Sequence, residues 1–324
     1  MLSYIKRTKN AFFRSSTTAS IGLALLGLSF LLPLVAQADS QMAPSEVEAS
    51  FKVTNLGQGP DVILIPGLMS DASIWSELTK ELVKSNRVHL INLAGFASTA
   101  RIEKQSLLRV KHALLKYIEN NKMTKPSIIG HSLGGFVAFW LASSAPDEIG
   151  PIVSVDGLPF IGPVFTRTNE TTVASLAPQA KQIKAYYAQM SSKQLVAQAR
   201  QSIAIQATSE EAKQKVIAMA ASSDPETVGE AISSLMSTDL RESISTIKSP
   251  ALLIGAAGGF TQESDKLAVK ALYQQQLSKL NGAKLIMNNQ ARHFIMLDQP
   301  QWLAEQIVQF LKQSSLSLAQ KMGD

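Results

Sequence analysis

The chain has 324 residues, with 31 Lys and Arg against 25 Asp and Glu, a net charge of +6 and no cysteine. This length suits one enlarged domain, and the lack of cysteine excludes disulfides, thiolate metal sites and a cysteine-linked lipid anchor. No basic block is interleaved with aromatic residues, so nucleic acid is not an expected partner.

The first 38 residues have the organisation of an export signal. Four basic residues and no acidic one stand near its start: Lys6, Arg7, Lys9 and Arg14. An apolar stretch follows at residues 21–35, and Ala36-Gln37-Ala38 forms a small-x-small cleavage site. We predict a signal peptide, residues 1–38, cleaved after Ala38, and a periplasmic or secreted protein with no stable membrane anchor. An uncleaved anchor is the alternative, because the stretch approaches the length that spans a bilayer.

Residues 51–153 alternate strand-like apolar runs with helical periods. One predicted helix places Leu107, Val110, Leu114 and Ile118 on a single face. Such alternation is typical of βαβ units, in which helices cover both faces of a mostly parallel sheet. The sequence therefore predicts an α/β fold with a mostly parallel central sheet.

A serine lies between a predicted strand and a predicted helix, in the hexapeptide Gly-His-Ser-Leu-Gly-Gly at 130–135. Gly130 and Gly134 leave room for a sharp turn that exposes the Ser132 hydroxyl at its tip. The amide of Leu133, at the start of the helix, points to where an oxyanion would form. We predict Ser132 as the nucleophile and Leu133 as an oxyanion donor; a Gly/Ser-rich surface loop is the alternative.

The segment that follows is rich in Ala, Gln and Ser and has a helical period, with a helix start at Asp224-Pro225. We predict a helical cap, residues 157–238, inserted between two parts of the core, residues 39–156 and 239–324. Five side chains of the cap either line a pocket for an acyl group or form the core of the cap, and core is the expected role at any single position. They are Tyr186, Tyr187, Met190, Met219 and Met236.

A serine needs a base to become nucleophilic, and the chain has four histidines. His131 belongs to the turn itself and should point away from Ser132. His112 lies on a charged amphipathic helix, where a solvated position is expected, and His89 lies in a strand-like run, where packing is expected. His293 lies in a late loop between a short strand and the C-terminal helix. A base delivered there fits the order serine, acid, histidine, so we predict His293 as the base.

The serine turn and three further segments resemble the α/β-hydrolase family, over most of the chain after the leader. Residues 61–69 look like the strand and oxyanion loop of the family, with Pro66-Gly67 where the family usually has His-Gly. Ser73-Ile74-Trp75 matches a common helix start, and residues 91–97 resemble the family's Asp-x-x-Gly-x-Gly turn with Asn for Asp. The resemblance implies an α/β-hydrolase fold and assigns the second oxyanion amide to Leu68.

The family usually carries its acid after the strand that follows the cap. Here that strand, residues 251–255, is followed by Ala-Ala-Gly-Gly-Phe, and Glu263 and Asp265 come only later. Some family members carry the acid one strand earlier, where this chain has Asp156. We predict that Asp156 orients His293, with Asp265 and Glu263 as the alternative acids. A turn-forming role is the other interpretation of Asp156.

These residues predict an exported serine hydrolase that cleaves a carboxylic ester through an acyl-enzyme. A serine at the turn excludes the haloalkane and epoxide branches of the fold, which use an aspartate there. Amide hydrolysis and acyl transfer use the same machinery and stay open, as does a capped binding protein or receptor with little or no turnover. We expect a small-molecule ester or acyl substrate, no cofactor and no metal ion.

Overall fold

The computed structural model describes residues 50–323, with side chains through residue 316. The signal peptide predicted at residues 1–38 lies outside the described residues. Within residues 50–323, no helix combines the length and the apolar character needed to cross a membrane.

A single seven-stranded sheet forms the centre of the described part of the chain, in the order β1-β3-β2-β4-β5-β6-β7. The pair β1–β3 is antiparallel and every other neighbouring pair is parallel. The strands are β1 (Phe51–Leu56), β2 (Asp61–Ile65), β3 (Arg87–Leu93), β4 (Ser127–His131), β5 (Ile152–Val155), β6 (Ala251–Ala256) and β7 (Lys284–Asn288). The predicted mostly parallel sheet is confirmed.

Helices follow most of the strands. They are α1 (Ser76–Leu82), α2 (Leu107–Asn120), α3 (Leu133–Ser144), α4 (Gly162–Thr166), α5 (Val173–Ala188), α6 (Ser192–Gln206), α7 (Glu210–Ala221), α8 (Pro225–Ser237), α9 (Glu263–Gln276), α10 (Ile295–Asp298) and α11 (Pro300–Gly323). Short 3-10 helices at Ala72–Trp75 and Ser243–Thr246 complete the described chain.

Strand β2 shows why helices cover both faces of the sheet. Successive side chains of a strand point to opposite faces. Ile63 and Ile65 lie in the core beneath α2, α3 and α9, whereas Val62 and Leu64 lie in the core beneath α1 and α11. All four are at most 1% exposed, and burying each such side chain contributes about 1.5–3 kcal/mol. A strand buried on both faces in this way needs a helical layer on each side.

Helix α2 has the apolar face that the sequence predicts. Leu107, Val110, Leu114 and Ile118 are all buried against the sheet. The helix begins after Ser106, whose hydroxyl accepts a hydrogen bond of 3.2 Å from the amide three residues later. Such an N-cap satisfies one of the amides that the first turn leaves without a helical partner.

Five helices, α4 to α8, lie between β5 and β6, inside the segment predicted as a cap. Helix α8 begins as predicted at Asp224-Pro225, and the Asp224 carboxylate accepts the amide of Thr227 at 2.8 Å. A small separate core joins α5, α8 and the chain before α4: Phe160, Leu176, Ala180 and Met236. The division into two core parts and a cap, with its bounds at residues 157 and 238, stays a prediction.

The parallel order brings the predicted site residues to one edge of the sheet. Ser132 follows β4, Asp156 follows β5, and His293 lies in the loop after β7. Carboxyl ends of parallel strands meet at the same edge, and ligands of open α/β sheets bind outside that edge.

Candidate active site

Ser132 stands in a strained turn between β4 and α3. Its φ of 52° and ψ of −113° are unusual for a residue with a side chain. The amide of Ser132 donates a 2.8 Å hydrogen bond to the carbonyl of Val155 at the end of β5. This bond and the helix that follows hold the turn in place, with the serine at its tip.

Two glycines permit this turn, as the sequence predicts. A Cβ on Gly130 would lie 2.0 Å from the carbonyl oxygen of Gly134. A Cβ on Gly134 would lie 2.3 Å from the carbonyl oxygen of Ile65, at the end of β2. Both distances are far inside van der Waals contact, so larger residues would force the helix away from the sheet.

Asp156 contacts His293, as predicted. Its Oδ2 lies 2.6 Å from Nδ1 of His293, and its side chain is 8% exposed. The other carboxylate oxygen, Oδ1, accepts the amide of Ala256 at 2.8 Å and the hydroxyl of Tyr273 at 2.7 Å. Three donors therefore fix the carboxylate in position and orientation.

This contact selects one form of the imidazole ring. A carboxylate only accepts hydrogen bonds, so Nδ1 of His293 carries the proton that points at Asp156. Nε2 of the neutral ring is then free of a proton, which is the form a general base needs.

Tyr273 was not identified from the sequence as a site residue. It lies on α9, lines the same cavity as Ser132 and donates its hydroxyl proton to Asp156. Burial, together with the nearby charge of Asp156, raises the pKa of Tyr273 well above 10.0. The hydroxyl therefore stays a donor throughout the physiological pH range.

His131 is a second residue whose part the sequence did not reveal. Its ring is 1% exposed, and its Nε2 lies 3.1 Å from the backbone carbonyl of His293. Burial, and then the charge of His293, lower the pKa of His131 well below 6.5, so the ring is neutral and Nε2 donates to that carbonyl. His131 thus supports the loop that carries His293 rather than touching a substrate.

The cap holds the same loop from the other side. The amide of Phe294 donates to the carbonyl of Gln206 at 2.8 Å, at the end of α6. Asp298 accepts the amide of Arg292 at 2.8 Å and the amide and hydroxyl of Thr208, each at 2.8 Å. The position of His293 therefore depends on both the sheet and the cap.

The alternative acids lie elsewhere. Glu263 and Asp265 are exposed in the first turn of α9, and Glu263 pairs with Lys266 at 3.5 Å. The carboxylate on Nδ1 of His293 belongs to Asp156, so the two alternatives are not brought to the predicted base.

Of the remaining histidines, His89 has the packing role expected for it. It is buried, with Nδ1 2.9 Å from the hydroxyl of Tyr117 and Nε2 2.8 Å from Asp61. Burial lowers its pKa despite the neighbouring Asp61. His112 is half-buried on α2.

Leu133 and Leu68 are the two residues whose amides are predicted to bind an oxyanion. Leu133 is the first residue of α3, where amides have no acceptor inside the helix, and it lines the cavity. Leu68 lies in the loop after β2, which packs against the start of α3 through the close approach of Gly134. The role of the two amides in binding an oxyanion stays a prediction.

A cavity over the serine connects these groups. The space open to the centre of a water-sized sphere is about 140 Å³. The lining is mostly apolar. Its apolar side chains are Leu133, Phe136, Leu158, Ile161, Val164, Ile205, Leu235, Ala256, Phe260, Val269 and Leu272.

The tyrosine and methionine side chains that the sequence offers as pocket residues of the cap do not line this cavity. Tyr187, Met219 and Met236 are buried in the core, and Tyr186 is 61% exposed. The cavity instead receives Gly157, Leu158, Ile161, Val164, Ile205, Gln206 and Leu235 from the cap segment. Among residues 50–323, no three His, Cys, Asp or Glu side chains form a group that could hold a metal ion.

Solved structures share this fold. A hydrolase from Pseudomonas aeruginosa matches with a TM-score of 0.67 and 20% identity, over 81% of this chain and 94% of that one. An enol-lactonase from Burkholderia xenovorans gives 0.62 and 21%, over 81% and 96%. An esterase from Thermogutta terrifontis gives 0.67 and 18%, over 82% and 93%. At these identities the likeness concerns the fold alone.

Sequence relatives cover a smaller part of the chain. A pimeloyl-(acyl-carrier protein) methyl ester esterase from Vibrio campbellii is 29% identical over 105 residues, which is 32% of this chain and 40% of the relative. An esterase of the same name from Aeromonas hydrophila is 31% identical over 113 residues, 34% of this chain and 42% of the relative. The alignment thus spans about two fifths of the length of these relatives. The profile of the α/β hydrolase family matches residues 62–306, and the chain belongs to that family.

Proposed function

We propose that the protein is a serine hydrolase that cleaves a carboxylic ester through an acyl-enzyme. The observation that carries this proposal is the 2.6 Å hydrogen bond between Asp156 and His293, beside a cavity that Ser132 also lines. A serine at a strained turn, a base held by an acid and an apolar pocket are the parts that acyl transfer to serine requires.

In the first half of the reaction, His293 takes the proton of Ser132 as the hydroxyl oxygen attacks the ester carbonyl. The amides of Leu133 and Leu68 bind the negative oxygen of the tetrahedral intermediate. Asp156 stabilises the positive charge that develops on His293. The intermediate collapses, His293 gives its proton to the departing alcohol, and the acyl group stays on Ser132.

In the second half, water replaces the alcohol. His293 takes a proton from water, the resulting hydroxide attacks the acyl carbonyl, and Ser132 leaves with the proton returned by His293. The apolar cavity lining suits a substrate with a hydrocarbon part. The sequence relatives are named methyl ester esterases, which supports an ester rather than an amide as the bond cleaved.

The test is covalent labelling by a fluorophosphonate probe, together with turnover of a short-chain phenyl ester. The protein should label at Ser132 and hydrolyse the ester, and Ser132→Ala should lose both while melting at an unchanged temperature. Ser264→Ala, at an exposed serine in the first turn of α9, is the matched control and should keep both. Full labelling of Ser132→Ala would remove this residue from the mechanism.

A capped binding protein with little turnover was the other interpretation of the sequence. Its main support was the missing carboxylate after β6, in the segment Ala257-Gly258-Gly259. Asp156 supplies a carboxylate to His293 from the neighbouring strand. This contact supports a hydrolase and removes the main argument for a binding protein.

We also propose that the protein is exported. The support lies in the sequence of the leader, with its basic start, apolar stretch and Ala36-Gln37-Ala38. The mass of the exported protein tests this proposal, because cleavage after Ala38 removes residues 1–38.

A further inference from the structure

One wall of the apolar cavity carries a positive charge. Four of the polar side chains that line the cavity, those of Ser132, Asp156, Tyr273 and His293, belong to the arrangement described above. Two more do not belong to it, Gln206 and Arg292. They lie on the same side, because the loop that carries Arg292 and His293 is hydrogen-bonded to the end of α6.

The guanidinium of Arg292 has few partners in the protein. Its Nη1 donates one hydrogen bond of 3.1 Å to the carbonyl of Ala207. Within the described side chains, no carboxylate forms a salt bridge with it. Asp298, which accepts the backbone amide of Arg292, is already occupied by the amide and hydroxyl of Thr208.

Most N–H donors of this side chain therefore have no acceptor within the described part of the protein. An arginine has five N–H donors in a planar fork, and one bond anchors the fork at the cavity wall. The side chain is half-buried among mostly apolar neighbours, where an unpaired charge is costly. A carboxylate in the cavity would accept two parallel N–H bonds from the fork and neutralise the charge.

The position of Arg292 places this anion close to the chemistry. Arg292 lines the same cavity as Ser132 and His293 and directly precedes the base in the chain. We propose that Arg292 binds an anionic group of the substrate, so that the ester cleaved carries a carboxylate or similar anion besides its hydrocarbon part. This inference rests on the proposed ester hydrolysis at the same site.

A structural role for Arg292 makes a different prediction. Ala207 is the C-cap of α6, and a cation at the carbonyl end of a helix stabilises the helix. In that case, loss of the charge lowers the melting temperature but affects all substrates alike. A substrate-binding role changes the preference between charged and neutral esters.

The experiment compares three phenyl esters in the wild type, Arg292→Gln and Arg292→Lys. Phenyl hexanoate is neutral, monophenyl adipate carries a carboxylate on the acyl part, and 4-carboxyphenyl hexanoate carries it on the departing part. Dividing each variant's kcat/KM by that of the wild type cancels the intrinsic reactivity of each ester. We expect Arg292→Gln to lower kcat/KM for one of the two anionic esters, relative to phenyl hexanoate, by about 10- to 100-fold. Arg292→Lys should retain part of the preference, because it keeps the charge without the fork.

The affected ester shows whether the anion sits on the acyl or the departing part. An equal reduction of kcat/KM for all three esters overturns the inference. A lower melting temperature with an unchanged preference assigns Arg292 a structural role at the end of α6.

Calorimetry tests binding of the anion without turnover. Ser132→Ala should bind hexanoate more tightly than hexanamide, and Ser132→Ala/Arg292→Gln should lose the difference. If no ester is cleaved and Ser132 does not label, ester hydrolysis is wrong, while equal binding of the two ligands refutes the anion site by itself.

Discussion

Replacing Asp156 by asparagine should nearly abolish turnover while leaving the fold intact. The carboxylate faces donors on both oxygens: Nδ1 of His293 on Oδ2, and the Ala256 amide and Tyr273 hydroxyl on Oδ1. An asparagine keeps one oxygen and presents an NH2 group in place of the other. With its oxygen toward Ala256 and Tyr273, the NH2 donates to His293. The ring then carries its proton on Nε2 and cannot accept the proton of Ser132.

The opposite orientation of the amide is also unfavourable. The NH2 group then meets the Ala256 amide and the Tyr273 hydroxyl, so two buried hydrogen bonds are lost and donors face donors. Such losses cost about 1–3 kcal/mol each, which makes the first orientation the preferred one. The backbone tolerates either, because Asp156 has a φ of 53° and asparagine adopts this left-handed region readily.

The size of the expected loss in kcat follows from what the contact between Asp156 and His293 does during the reaction. Asp156 selects the tautomer of His293 and stabilises its positive form across 2.6 Å, with 8% exposure and little screening by solvent. Loss of an acid in this role lowers kcat by about 10³- to 10⁴-fold. At 1.36 kcal/mol for each factor of ten, this is about 4–5.5 kcal/mol of transition-state stabilisation.

The assay is kcat for a short-chain phenyl ester, with the melting temperature and circular dichroism as controls for folding. Asp265→Asn and Glu263→Gln are the matched controls, since both residues are exposed on α9 and should lose less than about twofold. An Asp156→Asn protein that is folded and keeps more than a tenth of the activity would refute the reasoning. So would an equal loss in Asp265→Asn, because that residue does not contact His293.

Four further results are expected. Tyr273→Phe removes the buried hydroxyl that donates to Asp156 and should lower the free energy of unfolding, measured in urea, by about 1–3 kcal/mol. The loss of kcat should be smaller than in Asp156→Asn. Unchanged stability would contradict the contact. Gly134→Ala should destabilise by about 1–3 kcal/mol, whereas Gly259→Ala, which has open space around it, should be neutral. Because burial lowers the pKa of His131, the unfolded chain binds a proton there more readily than the folded protein, and the fold loses stability as the pH falls below 6.5. His131→Asn should therefore flatten the fall of melting temperature in acid. An equal slope in wild type and variant would exclude His131 as its source. Mass spectrometry of the exported protein should show cleavage after residue 38, and an intact chain in the membrane fraction would favour an anchor instead.

Features set by short segments could be predicted from the sequence. The two glycines that permit the turn around Ser132 each lie two positions from it and are visible in the sequence. Strand and helix periods likewise depend on neighbours, which is why the buried face of α2 and the start of α8 at Asp224 agree with prediction. The parallel order then follows from alternating strands and helices.

Contacts between distant segments that no sequence motif marks could not be predicted. His131 and the carbonyl of His293 are 162 positions apart, and Tyr273 and Asp156 are 117 apart. Periodicity shows that Tyr273 lies on an inward face of α9, but it does not show which strand end that face covers. The cap presents the same difficulty. Its composition predicts helices, but the orientation of each helix decides whether an aromatic residue or Leu235 reaches the cavity.

The acid shows how a departure from the usual sequence pattern preserves the geometry of the site. Strands β5 and β6 are adjacent and parallel, and Val155 lies opposite Ile254. The amide of Asp156 therefore bonds to the carbonyl of Ile254 at 2.7 Å, and its carboxylate reaches across to accept the amide of Ala256 at 2.8 Å. The Asp156 carboxylate thus lies at the end of β6, next to the place from which the usual acid would come. Because Asp156 supplies the carboxylate on His293 from β5, none is needed in the segment that follows β6.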